Sequence, residues 1–141
     1  MDEHVRRLGG EFGATTGRKR RCGWFDSVLA RFAAQVNGLT QIAVTKLDVL
    51  DTLPELKVAV AYRMPDGSVV ADFPADTWSL GKVEPVYETL PGWQASTGGA
   101  RRLEELPSGA RRYLDRLEEL TEAPVRWVSV GSKRSQIIEV A

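Results

Sequence analysis

A short segment near the start of the chain combines hydroxyls, glycines and clustered cations. Residues 10–23 contain four glycines, the pair Thr15-Thr16 and the tetrapeptide Arg18-Lys19-Arg20-Arg21. Hydroxyls donate hydrogen bonds, glycine lets backbone N–H groups approach a ligand closely, and guanidinium groups bind carboxylate or phosphate through two parallel bonds. The combination predicts a loop that binds an anionic, oxygen-rich ligand, although a run of cations by itself is equally typical of a solvated surface.

A second candidate segment, Thr45-Lys46-Leu47-Asp48, lies at the end of a predicted strand. A carboxylate at this place can accept two hydrogen bonds from guanine, whereas adenine offers no such pair of donors. Asp48 is therefore a candidate for selecting a guanine base, and the aliphatic part of Lys46 can lie over the ring. The pattern resembles the guanine motif of G proteins, which have Asn where this chain has Thr45. By itself it is also typical of an ordinary turn.

A third candidate segment, Ser129-Val130-Gly131, follows a predicted strand at 125–128. Its hydroxyl and backbone groups can contact a base or a ribose. Glycine at this place is equally typical of a simple exit from a strand, because its backbone is permissive. The segment gains functional meaning only if the fold brings it close to Lys46 and Asp48.

The overall composition favours one globular unit and argues against two classes of partner. The 141 residues are 43% apolar, so we expect 1–141 to be a single domain or a domain fragment with a real core. The 19 basic and 19 acidic residues cancel, which argues against nucleic acid and membrane as partners. The single Cys22 excludes an internal disulfide, and one Cys with one His makes no metal cluster. No signal-peptide-like or bilayer-spanning apolar run is present, so we expect a cytoplasmic protein.

Two main helices are predicted from apolar residues at helical spacing. The first has Phe25 at the start of its apolar pattern, Asp26 as its N-cap and Gly38 as its stop signal. The second covers 107–120. The core face predicted for the first helix is Phe25, Val28, Leu29, Phe32, Ala33 and Val36. The core face predicted for the second helix is Ala110, Tyr113, Leu114, Leu117 and Leu120.

The rest of the chain is predicted to consist of strands and loops. Strands are expected at 40–47, 56–62, 126–130 and 136–140, and either a strand or an extended arm is expected at 78–87. Loops or turns are expected at 1–23, 48–51 and 64–68, and a mobile loop at 96–100. Because the strands alternate with the two main helices, the pattern predicts an α/β fold.

Five segments, in order along nearly the whole chain, together resemble adenylosuccinate synthetase. They are 10–26, 44–51, 87–93, 106–113 and 128–131, of which the first two are highly specific. The resemblance implies the C-terminal third of a larger, P-loop-like, GTP-dependent ligase fold. The chain departs from the family at Lys19 and Ser132, where the family often has proline.

The resemblance also implies roles for the candidate residues, with 1–23 as the substrate-binding loop region. The set implied to bind aspartate or IMP is Ala14, Thr15, Thr16, Gly17, Arg18, Lys19 and Arg20. The set implied to bind GTP is Arg20, Lys46, Leu47, Asp48, Ser129, Val130 and Gly131.

The family joins L-aspartate to IMP with GTP, giving adenylosuccinate, GDP and phosphate in the purine biosynthesis of AMP. Its phosphate loop, Gly-Asp-Glu-Gly-Lys-Gly, and its catalytic Asp and His are absent from this sequence. The resemblance therefore implies no catalytic or metal-ligating residue here, and Mg²⁺ bound mainly by an N-terminal portion. We expect no useful turnover from this chain alone. The N-terminal portion of the same enzyme is the expected partner, in a complete homodimer.

Three alternatives to this reading stay open at the level of sequence. A related ligase acting on another purine monophosphate would carry the same segments, as phage-type enzymes that act on a guanine deoxynucleotide do. A non-catalytic guanine-nucleotide-binding module would bind nucleotide without a partner portion. Nucleic-acid binding through 18–21 would give salt-sensitive affinity for any polyanion, which the zero net charge disfavours.

Overall fold

A computed structural model describes residues 2–74 and 76–140, so Met1, Ala75 and Ala141 of the predicted unit 1–141 lie outside the described residues. The helices are α1 (Asp2–Leu8), α2 (Ser27–Asn37), α3 (Thr77–Leu80) and α4 (Ser108–Thr121). The strands are β1 (Phe25–Asp26), β2 (Ile42–Val44), β3 (Glu55–Arg63), β4 (Val69–Val70), β5 (Glu84–Pro91), β6 (Val125–Ser129) and β7 (Ile137–Glu139). Short 3₁₀ helices cover Leu47–Leu50, Leu103–Glu105 and Arg134–Gln136.

The strands form two sheets, which confirms the predicted α/β class. In the four-stranded sheet, β3 pairs with β1 in parallel and with β4 and β5 in antiparallel fashion. In the three-stranded sheet, the order is β2-β6-β7, with β2 parallel and β7 antiparallel to β6. Strands β1 and β2 are linked through α2 but are not paired with each other.

Helix α4 joins the two sheets through one apolar core, as its periodicity predicts. Its residues Ala110, Tyr113, Leu114 and Leu117 are buried, and they belong to one cluster with Leu56 and Val58 of β3 and Val128 of β6. Burying a leucine side chain stabilises the fold by about 1.5–3 kcal/mol. The core therefore depends on the amphipathic pattern of this one helix.

Helix α2 has the caps that the sequence predicts, and it begins at Ser27, directly after its N-cap. The Asp26 carboxylate accepts a hydrogen bond from the Leu29 N–H at 3.0 Å. Gly38 ends the helix with φ 59°, and its N–H donates to the last turn. Phe25 and Asp26 themselves pair with β3, so Phe25 lies on β1 and not on the core face of the helix, where the sequence predicts it.

The predicted core face of α2 is only partly buried. Val28 is 2% exposed, whereas Leu29 is 47%, Phe32 39% and Val36 61% exposed. The helix contacts β3 and α4 through the side that carries Val28 and Ala34. Periodicity identifies an apolar face, but it does not say whether another element covers that face.

Two more sequence predictions are corrected where charge or capping outweighs apolar pattern. Residues 1–23 are not all loop, because Asp2–Leu8 is helical, with acidic residues in its first turn and basic residues in its last. The strand predicted at 78–87 begins at Glu84, because Asp76 accepts a hydrogen bond from the Ser79 N–H at 2.7 Å and starts α3.

The strand predicted at 40–47 is shortened to Ile42–Val44, and the predicted turn at 48–51 is a 3₁₀ helix. The predicted strands around β3, β6 and β7, and the turn at 64–68, are confirmed to within one or two residues. No helix in the described part of the chain is both long and apolar enough to cross a bilayer.

The first prediction concerns Gly92, which closes the end of β5 against the backbone of Leu53. A Cβ atom at Gly92 would lie 1.9 Å from the Leu53 carbonyl oxygen. We expect Gly92→Ala to lower the free energy of unfolding by about 2 kcal/mol, measured by urea denaturation. The matched control is Gly98→Ala, whose Cβ would meet its nearest atom at an ordinary 3.7 Å. Equal stability of the two variants would contradict the prediction.

Candidate functional site

The fold brings the second and third candidate segments together. Strands β2 and β6 are parallel neighbours, so their carboxyl ends meet at the same edge of the sheet. There the Lys46 backbone N–H donates to Ser129 Oγ at 2.8 Å, across 83 residues of sequence. The predicted proximity of these two segments is a feature of the fold.

Lys46 has a backbone conformation that few non-glycine residues adopt. Its φ of 60° and ψ of 40° are left-handed, and it precedes the 3₁₀ helix Leu47–Leu50. Its Nζ donates to the Gly9 carbonyl at 2.6 Å and to the carboxylate of Glu11. Strained backbone held by surrounding contacts is often found at binding sites.

Asp48 presents an oxygen that has no partner. Among the described residues, its Oδ1 is a buried side-chain oxygen without a hydrogen bond. Leaving such an acceptor unpaired costs about 1–3 kcal/mol, a cost that a ligand donating to it would remove. Asp48 lines a cavity of about 510 Å³, together with Asp51, Thr52 and the segment 94–96.

The other residues predicted for the strand-end part of the guanine site, Leu47, Val130 and Gly131, present no exposed side chain. Leu47 is fully buried and Val130 is 1% exposed, so both side chains are in the core. The Val130 N–H donates to the Gln136 carbonyl at 2.9 Å. At Gly131 a Cβ would lie 2.4 Å from the amide end of the flexible Gln136 side chain, which would have to move aside.

Asp51 organises the far wall of this cavity, a role that sequence reasoning missed. Its carboxylate accepts hydrogen bonds from Trp93 Nε1 at 2.8 Å, Thr97 N at 2.8 Å and Thr97 Oγ1 at 2.9 Å. Thr97 is fully buried, so the predicted mobile loop at 96–100 is anchored instead. The available signal was a second acidic residue, three positions after Asp48, directly after the 3₁₀ turn.

The first candidate segment forms an exposed, hairpin-like loop. Gly13 N–H donates to the Arg18 carbonyl at 2.8 Å, Gly17 N–H donates to the Gly13 carbonyl at 2.9 Å, and Phe12 bridges to Lys19. Gly17 has φ 63°, which favours glycine. Ala14, Thr15, Thr16, Gly17, Arg18, Lys19 and Arg20 are all exposed. Thr16, Arg18, Lys19 and Arg20 line one cavity of about 430 Å³ with Gly13 and Arg21.

Glu11 connects this loop to the strand-end segments. Its carboxylate accepts hydrogen bonds from the Lys46 ammonium and from Arg20 Nη1, the latter at 3.0 Å. The bond from Lys46, and then that from Arg20, lowers the pKa of Glu11 below its ordinary value of 4.5. A cavity of about 330 Å³ between the two parts is lined by Gly9, Glu11, Arg20 and Lys46, among others.

No group of three or more His, Cys, Asp or Glu side chains is placed to hold a metal ion in residues 2–74 and 76–140. Mg²⁺ is also commonly bound by one or two carboxylates together with the phosphate oxygens of a nucleotide, an arrangement that needs no such group.

Comparisons with known proteins all give the same family. The family model "Adenylosuccinate synthetase" matches residues 1–138. The adenylosuccinate synthetase of Carboxydothermus hydrogenoformans is 55% identical over 96% of this chain and 32% of its own length. That of Heliobacterium modesticaldum is 53% identical over 99% of this chain and 33% of its own length. The chain therefore spans about a third of the length of these relatives.

A solved structure gives the same result at the level of fold. Fully ligated adenylosuccinate synthetase from Plasmodium falciparum superimposes on 99% of this chain with a TM-score of 0.93 and 31% sequence identity. The match covers 34% of that protein. The seven strands and four helices described above thus match about a third of a larger fold, as the sequence predicts.

The second prediction tests the anchoring role of Asp51. Asp51→Ala leaves three donors on Trp93 and Thr97 without their acceptor, so we expect the free energy of unfolding to fall by about 2 kcal/mol or more. Urea denaturation followed by tryptophan fluorescence measures this change. The control is Asp115→Ala on the exposed side of α4, which we expect to change stability by less than about 0.5 kcal/mol. An Asp51 variant as stable as that control would refute the anchoring role.

Proposed function

The chain belongs to the adenylosuccinate synthetase family, and from this premise we propose that it is the guanine- and aspartate-binding part of a GTP-dependent ligase. The complete enzyme would join L-aspartate to IMP, giving adenylosuccinate, GDP and phosphate. The observation that carries the proposal is the unpaired, buried Oδ1 of Asp48, beside Lys46 and Ser129 at the ends of two parallel strands.

In this proposal Asp48 selects the base. Guanine N1–H and its exocyclic amine both donate to the carboxylate, and one of these bonds satisfies the orphan oxygen. Adenine has no donor at N1, so it would leave the carboxylate unpaired, which is costly in a partly dry site. The methylenes of Lys46 would cover one face of the base, with Ser129, Val130 and Gly131 along its edge. Leu47 and Val130 would contribute backbone groups, because their side chains are buried.

The exposed loop at 14–20 would bind the carboxylates of L-aspartate. Thr15, Thr16 and the Gly17 backbone would donate hydrogen bonds, and Arg18 would form paired bonds and reach the ribose of IMP. Arg20 would bind either aspartate or the phosphate side of GTP. The exposure of the loop supports this role, since a loop that closes on its substrate must be free to move.

The chemistry itself would need the part of the ligase that this chain does not span. GTP would phosphorylate the 6-oxygen of IMP, and the aspartate amine would then displace phosphate at that carbon. This chain would bind and orient substrates, while acid–base groups and metal ligands would come from the remainder. We therefore propose that the isolated chain has no useful turnover. Family membership also supports a cytoplasmic, homodimeric complete enzyme.

An apolar slot supports the need for a partner portion. Two segments contribute to the lining of a cavity of about 500 Å³. One is 23–25, which leads into β1, and the other is 42–45, which comprises β2 and the residue after it. Ile42 N–H donates to the Pro124 carbonyl, and Lys46 N–H donates to Ser129. Backbone groups alternate in direction along a strand, so those of Ala43 and Thr45 point the other way, into the slot.

We propose that the remainder of the ligase inserts an extended apolar segment here and joins the two sheets. Unpaired strand edges readily accept another strand, and β1 and β2 are consecutive strands that a single helix links without pairing them. The length of the relatives beyond the matched third is where such a segment would come from.

The third prediction concerns base selection. In Asp48→Asn the amide offers a donor where guanine also donates, so we expect GDP affinity to fall at least tenfold, about 1.4 kcal/mol, and xanthosine diphosphate affinity to rise. Calorimetric titration with GDP, xanthosine diphosphate and ADP measures both changes. The matched control is Asp115→Asn, on the exposed side of α4. Unchanged GDP affinity in Asp48→Asn would remove Asp48 from the base pocket.

The fourth prediction concerns assembly. We expect the chain to form a complex with the separately produced remainder of the Carboxydothermus hydrogenoformans relative, and the complex to make adenylosuccinate. Ala43→Pro removes an N–H that faces the slot and fills the edge with a ring, so association should weaken at least tenfold, measured by calorimetry.

The control for this experiment is Glu139→Pro at the opposite edge of the same sheet. Val140 N–H donates to the Arg126 carbonyl on β6, so the Glu139 N–H points away from the sheet and the slot. Association that Glu139→Pro weakens as much as Ala43→Pro would contradict insertion at β2. Association without synthesis of adenylosuccinate would contradict the proposed reaction.

A further inference from the structure

We propose that Glu11 is a positioning residue that fixes Lys46 and Arg20 relative to each other, so that one carboxylate sets both the base site and the anion loop. The inference rests on the proposed function for the ligands assigned to the two sites, whereas the contacts of Glu11 are observed in the structure whatever those ligands are. One carboxylate oxygen, Oε1, accepts from the Lys46 ammonium, and the other, Oε2, accepts from Arg20 at 3.0 Å. Glu11 is not among the residues predicted to bind aspartate, IMP or GTP.

The backbone around Glu11 makes it a rigid bridge. The Arg20 N–H donates to the Glu11 carbonyl at 3.1 Å, and the Glu11 N–H donates to the Arg6 carbonyl at 2.8 Å. Arg6, which is 7% exposed, donates from Nε to the Arg20 carbonyl at 2.8 Å. Arg6 of helix α1 therefore holds the backbone of both Glu11 and Arg20. This limits how far the Glu11 carboxylate can move toward either Lys46 or Arg20.

The charge of Glu11 explains why the bridge needs a carboxylate. Lys46 and Arg20 are both cationic and converge on the same place, so without an anion between them they would repel each other. The pKa of Glu11 is lowered, first by the bond from Lys46, so Glu11 is ionised at neutral pH. Its contacts are lost only as the pH falls through that lowered pKa.

A preset Lys46 favours nucleotide binding for an entropic reason. A free lysine side chain loses much rotamer freedom when its methylenes are ordered against a base. Here the bonds from Nζ to Glu11 and to the Gly9 carbonyl already order that side chain. Glu11→Gln would keep the size of the side chain but remove the charge, so Lys46 and Arg20 would both be released.

The first test needs no ligand. Limited trypsin digestion followed by mass spectrometry compares cleavage after Arg20 and after Lys46 with cleavage after Arg112 on α4. Glu11→Gln is expected to raise the first two rates at least threefold relative to the third. The control Glu104→Gln, an exposed carboxylate elsewhere, should change none of them. Unchanged cleavage at both sites in Glu11→Gln would overturn the proposal.

The second test is a double-mutant cycle on GDP affinity. Glu11→Gln is expected to weaken GDP binding at least threefold in the wild-type background and to have no effect in Lys46→Met, because it acts through Lys46. An equal loss in both backgrounds would mean a merely structural role and would overturn the proposal. If the wild-type chain binds no GDP, the guanine proposal fails for the isolated chain, and the digestion result alone decides the role of Glu11.

Discussion

The parallel pairing of β2 with β6 is the constraint on which the candidate site depends. It places the ends of two strands side by side, and the bond from Lys46 N–H to Ser129 Oγ holds them there. That bond also helps to hold Lys46 in its left-handed conformation, from which the 3₁₀ helix with Asp48 and Asp51 begins. A slip of one residue between these strands would turn every side chain to the other face and separate the segments.

The uncovered surfaces of the molecule lie where a larger fold would continue. Leu29, Phe32 and Val36 are exposed on α2, and the slot between β1 and β2 is lined largely by apolar side chains. Soluble proteins seldom leave such surfaces open without a partner. Family relatives three times as long provide the polypeptide that would cover them. By contrast, the sheet edge at β7 carries charged Glu139, which discourages further pairing.

Sequence reasoning succeeded where the cause is local and failed where it is tertiary. The caps of α2 at Asp26 and Gly38, and the buried face of α4, follow from residue type and spacing. The burial of Thr97 by Asp51 does not, because it depends on a carboxylate reaching a loop 46 residues away. Likewise the candidate binding segments 45–48 and 129–131 are recognisable as motifs in the sequence. The contact between the two segments depends on the pairing of β2 with β6, which neither segment encodes by itself.

The two parts of the site have opposite physical designs, and this difference explains why a bridge between them matters. The strand-end part is anchored to the core through Leu47 and Val130, so it can hold a carboxylate at a fixed place for a base. The loop part is exposed and held by its own backbone bonds together with the bonds that tie Arg20 to Glu11 and Arg6. Glu11 connects the exposed part to the buried part, and if the two parts bind two substrates as proposed, such a connection would fix the position of one relative to the other.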